Sequence, residues 1–170
     1  MTAEEIRSCL GLKPLDREGG YFRETYRCEE GVAAQALPER YGGPRCFGTA
    51  IYYLLTPQSC SRLHRLKSDE VFHFLLGDPV TMLQLHHDRS SRTLTLGQDI
   101  AAGQRLQVVV SRGVWQGCFL NEPGRFALMG VTVAPGFDYA DYEDGDRDAL
   151  VGDYPDRREL IVRLTLAGRP

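Results

Sequence analysis

Ser61-Arg62-Leu63-His64-Arg65-Leu66-Lys67-Ser68-Asp69-Glu70-Val71-Phe72-His73-Phe74-Leu75-Leu76-Gly77 is the stretch on which the fold turns. A histidine stands six residues ahead of a glutamate, and a glycine follows seven further on. Imidazole and carboxylate are common ligands for divalent metals and a common general acid/base pair. The polar turn Lys67-Ser68-Asp69 separates two apolar runs. A hairpin here would aim His64 and Glu70 into one cavity, which makes the segment a candidate site.

Working outward, short apolar runs follow at close spacing and predict strands over 47–55, 71–76, 80–87, 92–96, 105–110, 114–120, 126–133 and 159–166. Turn residues separate them, among them Gly77-Asp78-Pro79, Asp88-Arg89-Ser90-Ser91, Gly103, Gly113 and Pro123-Gly124. Such a pattern indicates an all-β sandwich or barrel. Leu106, Val108 and Val110 alternate onto one strand face, as do Leu160, Val162, Leu164 and Leu166, and both faces are expected in the core. Tyr21 to Arg27 alternates ring and charge as a further strand.

Helical signals are few. Thr2 and Glu5 have capping-box spacing, Ile6 and Leu10 lie four apart, and Gly11 can close the end, so residues 3–10 read as a helix. A second short helix is expected around 146–151. Residues 31–45, with Gly31, Pro38, Gly42, Gly43 and Pro44, read as a loop or flap. No repeat or linker divides the chain, so residues 1–170 are expected to form one domain, its barrel over about 20–166.

Composition excludes several classes. A chain of 170 residues can bury a sizeable core, and 42% hydrophobic content argues against disorder. A net charge of -3 gives no reason to expect nucleic acid as a partner. There is no apolar run long enough for a membrane span, and the acidic start Met1-Thr2-Ala3-Glu4-Glu5 lacks the marks of a signal peptide. The five cysteines, Cys9, Cys28, Cys46, Cys60 and Cys118, are scattered without a paired spacing. They read as reduced thiols of a cytoplasmic protein, mostly buried, with Cys60 and Cys118 expected near the cavity.

The spacing of His64, Glu70 and Gly77 resembles the first motif of the cupin superfamily, and Gly103 with Val110-Ser111-Arg112-Gly113-Val114-Trp115-Gln116 resembles the second. Glu18-Gly19-Gly20-Tyr21-Phe22-Arg23-Glu24-Thr25, the pairs His64-Arg65 and Asp69-Glu70, the block Val131 to Tyr139 and the late Tyr154-Pro155 are similar to the signatures of its DUF985, or cupin-5, family. The resemblance runs from about Leu10 to Thr165. It implies a cupin-type jelly-roll β-sandwich, a homodimer, and a pocket inside the barrel. It also implies structural kinship to sugar-nucleotide epimerases and isomerases. Fold kinship alone does not carry chemistry across.

The chain departs from the cupin pattern. Leu66 stands at the second histidine, Gln116 at the third, and Ser111 at the proline of the second motif. His64 and Glu70 remain as strong metal donors, with Gln116 as a weak neutral one. The histidine pair and carboxylate of a non-haem iron oxygenase are not met. A divalent metal held by His64, Glu70 and Gln116 is the cofactor the motif allows, although tight sites want three or four strong donors.

The catalytic candidates are therefore His64, Glu70 and Tyr53. His64, paired with Glu70, would remove a proton next to a carbonyl, and Tyr53 would return it. The ligand-binding candidates are Arg23 as an anion clamp, Trp115 as a stacking platform, Gln116 and Phe72. His73 alternates with Phe72 and Phe74 and is expected on the face away from Glu70. His86 and His87 read as solvated turn residues. Arg65 could reach a phosphate or carboxylate, or form a surface ion pair. Asp138, Asp141 and Glu143 belong to an acidic loop, in solvent or over the pocket mouth. Two functions remain open: an epimerase- or isomerase-like enzyme acting on a sugar or nucleotide-sugar, and a non-catalytic module binding a small molecule or metal.

Overall fold

Alternating side chains build two antiparallel sheets that face each other. The computed structural model describes residues 1–166. In chain order its strands are β1 Lys13–Pro14, β2 Tyr21–Arg27, β3 Gly31–Val32, β4 Arg45–Cys46, β5 Thr49–Leu55, β6 Cys60–Leu66 and β7 Asp69–Gly77. They continue as β8 Val80–Leu85, β9 Ser91–Leu96, β10 Gln107–Val110, β11 Trp115–Leu120, β12 Ala127–Ala134 and β13 Tyr142–Asp144. One sheet has the order β1-β2-β5-β12-β7-β10, the other β13-β6-β11-β8-β9, and β3 pairs with β4 apart from both.

The inward faces meet in one apolar core. Phe72 and Phe74 of β7, Met129 and Val131 of β12, and Met82 of β8 pack there, all nearly inaccessible. Burying each such side chain contributes roughly 1.5–3 kcal/mol. Val108 and Val110 join this core as the alternation predicts, but Leu106 lies ahead of β10 and is 46% exposed.

Lys67-Ser68 is not the turn of a hairpin. β6 pairs with β11 and β13, whereas β7 pairs with β12 and β10, so the link carries the chain from one sheet to the other. His64 and Glu70 still meet, because each points inward from its own sheet. β6 itself was not among the expected strands.

The C-terminal segment is a helix, not the expected strand over 159–166. Helix α1 spans Ala3–Leu10, α2 Arg147–Asp153 and α3 Arg158–Arg163. Ile161 and Leu164, three apart, are fully buried against Leu63, Leu83 and Leu85 on the outer face of the five-stranded sheet. Val162 and Leu166 are 40% and 63% exposed. A run of branched residues satisfies both periods, and packing on a flat apolar surface selected the helical one. α1 forms as predicted: Thr2 and Glu5 make both bonds of the capping box, and Gly11 adopts a left-handed φ of 62°.

Residues 31–45 are anchored. The Arg45 guanidinium donates to both oxygens of Asp141 at 2.6 and 2.7 Å, with both side chains buried. Tyr41 donates to the Lys67 carbonyl oxygen at 3.1 Å and is buried.

Candidate functional site

The site begins with a carboxyl group that sequence reasoning missed. Glu18 precedes Gly19 and Gly20, whose φ angles are 101° and 70°. A Cβ on Gly19 would lie 2.2 Å from the Cys60 carbonyl oxygen. Only glycine lets the chain turn this tightly against β6. The Glu18 carbonyl then accepts from the Arg62 backbone N–H at 2.8 Å. The Glu18 side chain points inward, with Oε1 accepting from the Ser61 hydroxyl at 2.8 Å. The signal for Glu18 was its place directly before a glycine pair.

Three further polar groups converge beside it. His64 on β6 pairs in register with Gln116 on β11, and Glu70 faces them from β7. His64 Nδ1 lies 2.7 Å from the Arg62 carbonyl oxygen, which can only accept. Nδ1 therefore carries the proton in the neutral ring, and Nε2 offers a lone pair. The Gln116 amide nitrogen lies 2.8 Å from that Nε2 and 3.1 Å from Glu70 Oε2, donating to both. Its own Oε1 is buried without a hydrogen-bond partner. Glu18 Oε2 and Glu70 Oε2 stand 3.8 and 3.9 Å from His64 Nε2, beyond direct hydrogen bonding. The Tyr142 ring stacks on His64 at 4.8 Å between centroids.

A cavity of about 320 Å³ ends on this cluster. Glu18 and Glu70 line it, and Leu15, Phe22, Ile51, Val131 and Val133 supply apolar walls. Arg17, Glu24, Arg27, Asp138 and Tyr139 add polar groups. Burial pushes the Glu70 carboxyl up to about 7, with His64 opposing the rise, Glu18 adding to it and the Gln116 amide opposing it. Burial also raises the Tyr142 and Tyr53 hydroxyls.

The other predicted residues fall elsewhere. His64 and Gln116 do not line the cavity; His64 stands behind the Tyr142 ring. Tyr53 is fully buried and outside the cavity lining, and its hydroxyl donates to the Gly19 carbonyl oxygen at 2.9 Å, bracing the Glu-Gly-Gly turn. Phe72 is core. Trp115 lies on the outer face of the five-stranded sheet, beneath the Arg65 guanidinium at 4.4 Å. Odd and even residues of a strand face opposite ways, so Gln116 facing inward sends Trp115 outward. Neither Cys60 nor Cys118 lines the cavity; Cys60 packs in the outer cluster and Cys118 in the core, and all five cysteines are free thiols.

Arg23 is exposed over the Tyr52 ring and is not in the cavity. A bulge between Glu24 and Tyr26 shifts the pairing of β2 with β5. Phe22 and Glu24 face the cavity by alternation, and the extra residue brings Arg27 onto the same face. Arg27 is bonded there to both Glu24 oxygens at 3.0 and 2.7 Å. His73 is on the opposite face from Glu70, near Thr132 and Gln107.

Two facing antiparallel sheets, enclosing a pocket lined by a glutamate whose neighbouring histidine comes from the preceding strand, define a cupin-type jelly roll. The chain belongs to the family described as Cupin superfamily (DUF985), which it matches over residues 4–144. It is 31% identical over 134 residues to the uncharacterised protein YML079W of Saccharomyces cerevisiae, covering 74% of this chain and 67% of that one. A hypothetical protein from Leishmania major superposes with a TM-score of 0.89 at 31% identity, covering 98% of this chain and all (100%) of that one. Protein SO0799 from Shewanella oneidensis gives 0.87 at 31% identity, over 99% of each chain. Oxalate decarboxylase of Bacillus subtilis shares the fold alone, with a TM-score of 0.52 at 15% identity over 86% of this chain and 36% of that one.

Oxalate decarboxylase carries Mn(II) centres. The donor set here does not fit such a centre. Leu66, at the position of one cupin histidine, packs with Val133 and Tyr142. The amide N–H group of Gln116 already occupies the His64 lone pair and a Glu70 oxygen. Among the described residues, no three His, Cys, Asp or Glu side chains stand in a metal-holding group.

Proposed function

We propose that the cavity binds a small organic molecule whose polar group is directed at Glu18 and Glu70, and that Glu70 exchanges a proton with it. The observation that supports this reading is that Glu18 and Glu70 both line a chamber whose walls include Leu15, Phe22, Ile51, Val131 and Val133, with Arg17, Glu24, Arg27 and Asp138 as its further charged groups. A carboxyl poised near neutral pH serves as either proton donor or acceptor. His64 and Gln116 are positioning residues in this scheme: the amide holds Glu70, and the imidazole, fixed by the Arg62 carbonyl, holds the amide.

The finer form of the reading is an isomerase- or epimerase-type reaction on a sugar-like metabolite. Glu70 would then remove the proton next to a carbonyl in place of His64, which does not reach the cavity. The test is incubation with a panel of keto-sugars and keto acids in D₂O, following C–H to C–D exchange by NMR. Exchange that is lost in Glu70→Gln supports the reading. A ligand that raises the melting temperature and is never exchanged supports the second reading, a binding module, which the apolar walls also favour.

The homodimer implied by family likeness is part of the same proposal. Leu75 and Val109 are 40% and 48% exposed around half-buried His73 on the outer face of the six-stranded sheet, where a second copy would seat. Light scattering on the wild type and on Val109→Lys tests it, with a monomeric wild type as the contrary result.

A further inference from the structure

A second concave site lies apart from the cavity, where several chain segments meet in a groove of about 490 Å³. Arg40 comes from the segment before β4, Arg65 from β6, Lys67 from the link between sheets, and Arg112 from the turn between β10 and β11. The only acidic side chains lining it are Asp141 and Glu143. Both are already engaged: Asp141 by the two-pronged contact with Arg45, Glu143 by Arg65 at 2.8 and 2.9 Å. Lys67 Nζ, 3.7 Å from Asp141, is thus a second cation beside one carboxylate. Arg40 and Arg112 have no acidic partner among the described residues. This local excess of positive charge sits on a chain whose net charge is -3.

The groove is held in shape by its own contacts. Arg40 Nε donates to the Lys67 carbonyl oxygen at 3.0 Å, and its guanidinium lies 4.7 Å above the Tyr41 ring centre. Tyr41 in turn bonds Ser68 at 3.0 Å, pinning the loop to the link between sheets. The Arg112 backbone N–H donates to the Asp69 carboxylate at 2.7 Å, and the Gly113 backbone N–H donates to the Leu66 carbonyl oxygen at 2.8 Å. Gly113 has φ 75°, and a Cβ there would lie 2.7 Å from His87 Nε2, so the turn is pressed against that ring. The Arg40 guanidinium, fixed beforehand by these contacts, loses less freedom on binding, and guanidinium groups match the geometry of phosphate oxygens. A concave surface with one dominant sign of charge also concentrates counter-ions.

We propose that this groove binds the phosphoryl group of a small phosphorylated molecule, held by Arg40, Lys67 and Arg112. Of its lining residues only Tyr142 also lines the cavity, so the proposal does not rest on proton transfer at Glu70. The surplus charge of the groove suits a dianion better than a single carboxylate.

The test is titration of the full chain with pyrophosphate and with inorganic phosphate, by calorimetry and ³¹P NMR, at about 50 mM salt. Saturable binding is expected in the wild type, weakened about tenfold in Arg112→Ala and further in Arg40→Ala/Arg112→Ala. Arg112 is exposed, so the single variant keeps its fold, which its melting temperature checks. Glu70→Gln, a cavity variant, should bind as the wild type does. Arg23→Ala removes an exposed cation elsewhere and should also leave binding unchanged. No binding by the wild type, undiminished binding in Arg112→Ala, or an equal loss in Arg23→Ala would each overturn the proposal.

Discussion

Gln116 and His64 face each other across β11 and β6 with their Nε2 atoms 2.8 Å apart. Because His64 Nδ1 is held by a carbonyl, this contact takes up the imidazole's remaining lone pair. In a cupin with a third histidine, that lone pair would be free for a metal. Here the amide of Gln116 occupies it and bridges on to Glu70.

Replacing that amide should therefore change what the cluster binds. Gln116→His removes the N–H bridge and adds an imidazole donor beside His64, Glu70 and Glu18. Mn(II) titration followed by electron paramagnetic resonance should show affinity at least about tenfold above that of the wild type. Equal affinities would show that the amide does not block the site.

Glu70 makes stability depend on pH. Its carboxyl is pushed from 4.5 up to about 7 in the folded chain. Below the lower value it is protonated folded or unfolded, and it costs nothing. As pH rises between the two, the unfolded chain releases its proton first, so the folded state loses relative stability. Above the upper value the full cost stands, on the order of 3 kcal/mol. Glu70→Gln cannot ionise, so its melting temperature should rise relative to wild type as pH goes from 4.5 to about 7 and hold a constant lead above that. A constant difference from pH 4.5 to about 7 would contradict the burial argument.

The Arg45–Asp141 pair ties the 31–45 segment to the residues just ahead of β13. Asp141→Asn leaves a guanidinium buried without its counter-charge and should cost roughly 3–5 kcal/mol in urea unfolding. Hydrogen exchange should quicken first across 31–46. If protection there is unchanged, the pair does not anchor the segment.

Gly19 and Gly42 should respond differently to the same change. Gly19→Ala forces a side chain onto the Cys60 carbonyl at a φ of 101° and should destabilise by about 2 kcal/mol or more. Nothing lies within 4 Å of a Cβ on Gly42. Gly42→Ala should stay within about 0.5 kcal/mol of wild type. Chemical denaturation of the two variants separates these outcomes.

Local patterns carried much of the fold into the sequence. The capping box of Thr2 and Glu5, the alternation of Val108 with Val110, and the Gly/Pro turns each act within a few residues, so they could be read directly. The run from Leu160 to Leu166 misled because its apolar residues fit two periods, and only the surface they cover distinguishes them. Arg23 faces away because it alternates with Phe22 and Glu24, which line the cavity; the bulge between Glu24 and Tyr26 brings Arg27 inward instead, and single-residue bulges leave no mark in an alternating pattern.

By itself, strand periodicity determined an all-β sandwich or barrel, because alternation is a short-range property, while the jelly roll and the inward-facing His64 and Glu70 came from the resemblance of the motifs to the cupin pattern. Tertiary structure alone decided that Glu18 joins Glu70 in the cavity, that His64 is sealed behind Tyr142, and that Trp115 faces away. Those outcomes depend on which strands pair, where a bulge falls, and which sheet receives the chain after Lys67. Such choices follow from packing between residues distant in sequence, where no local pattern reaches.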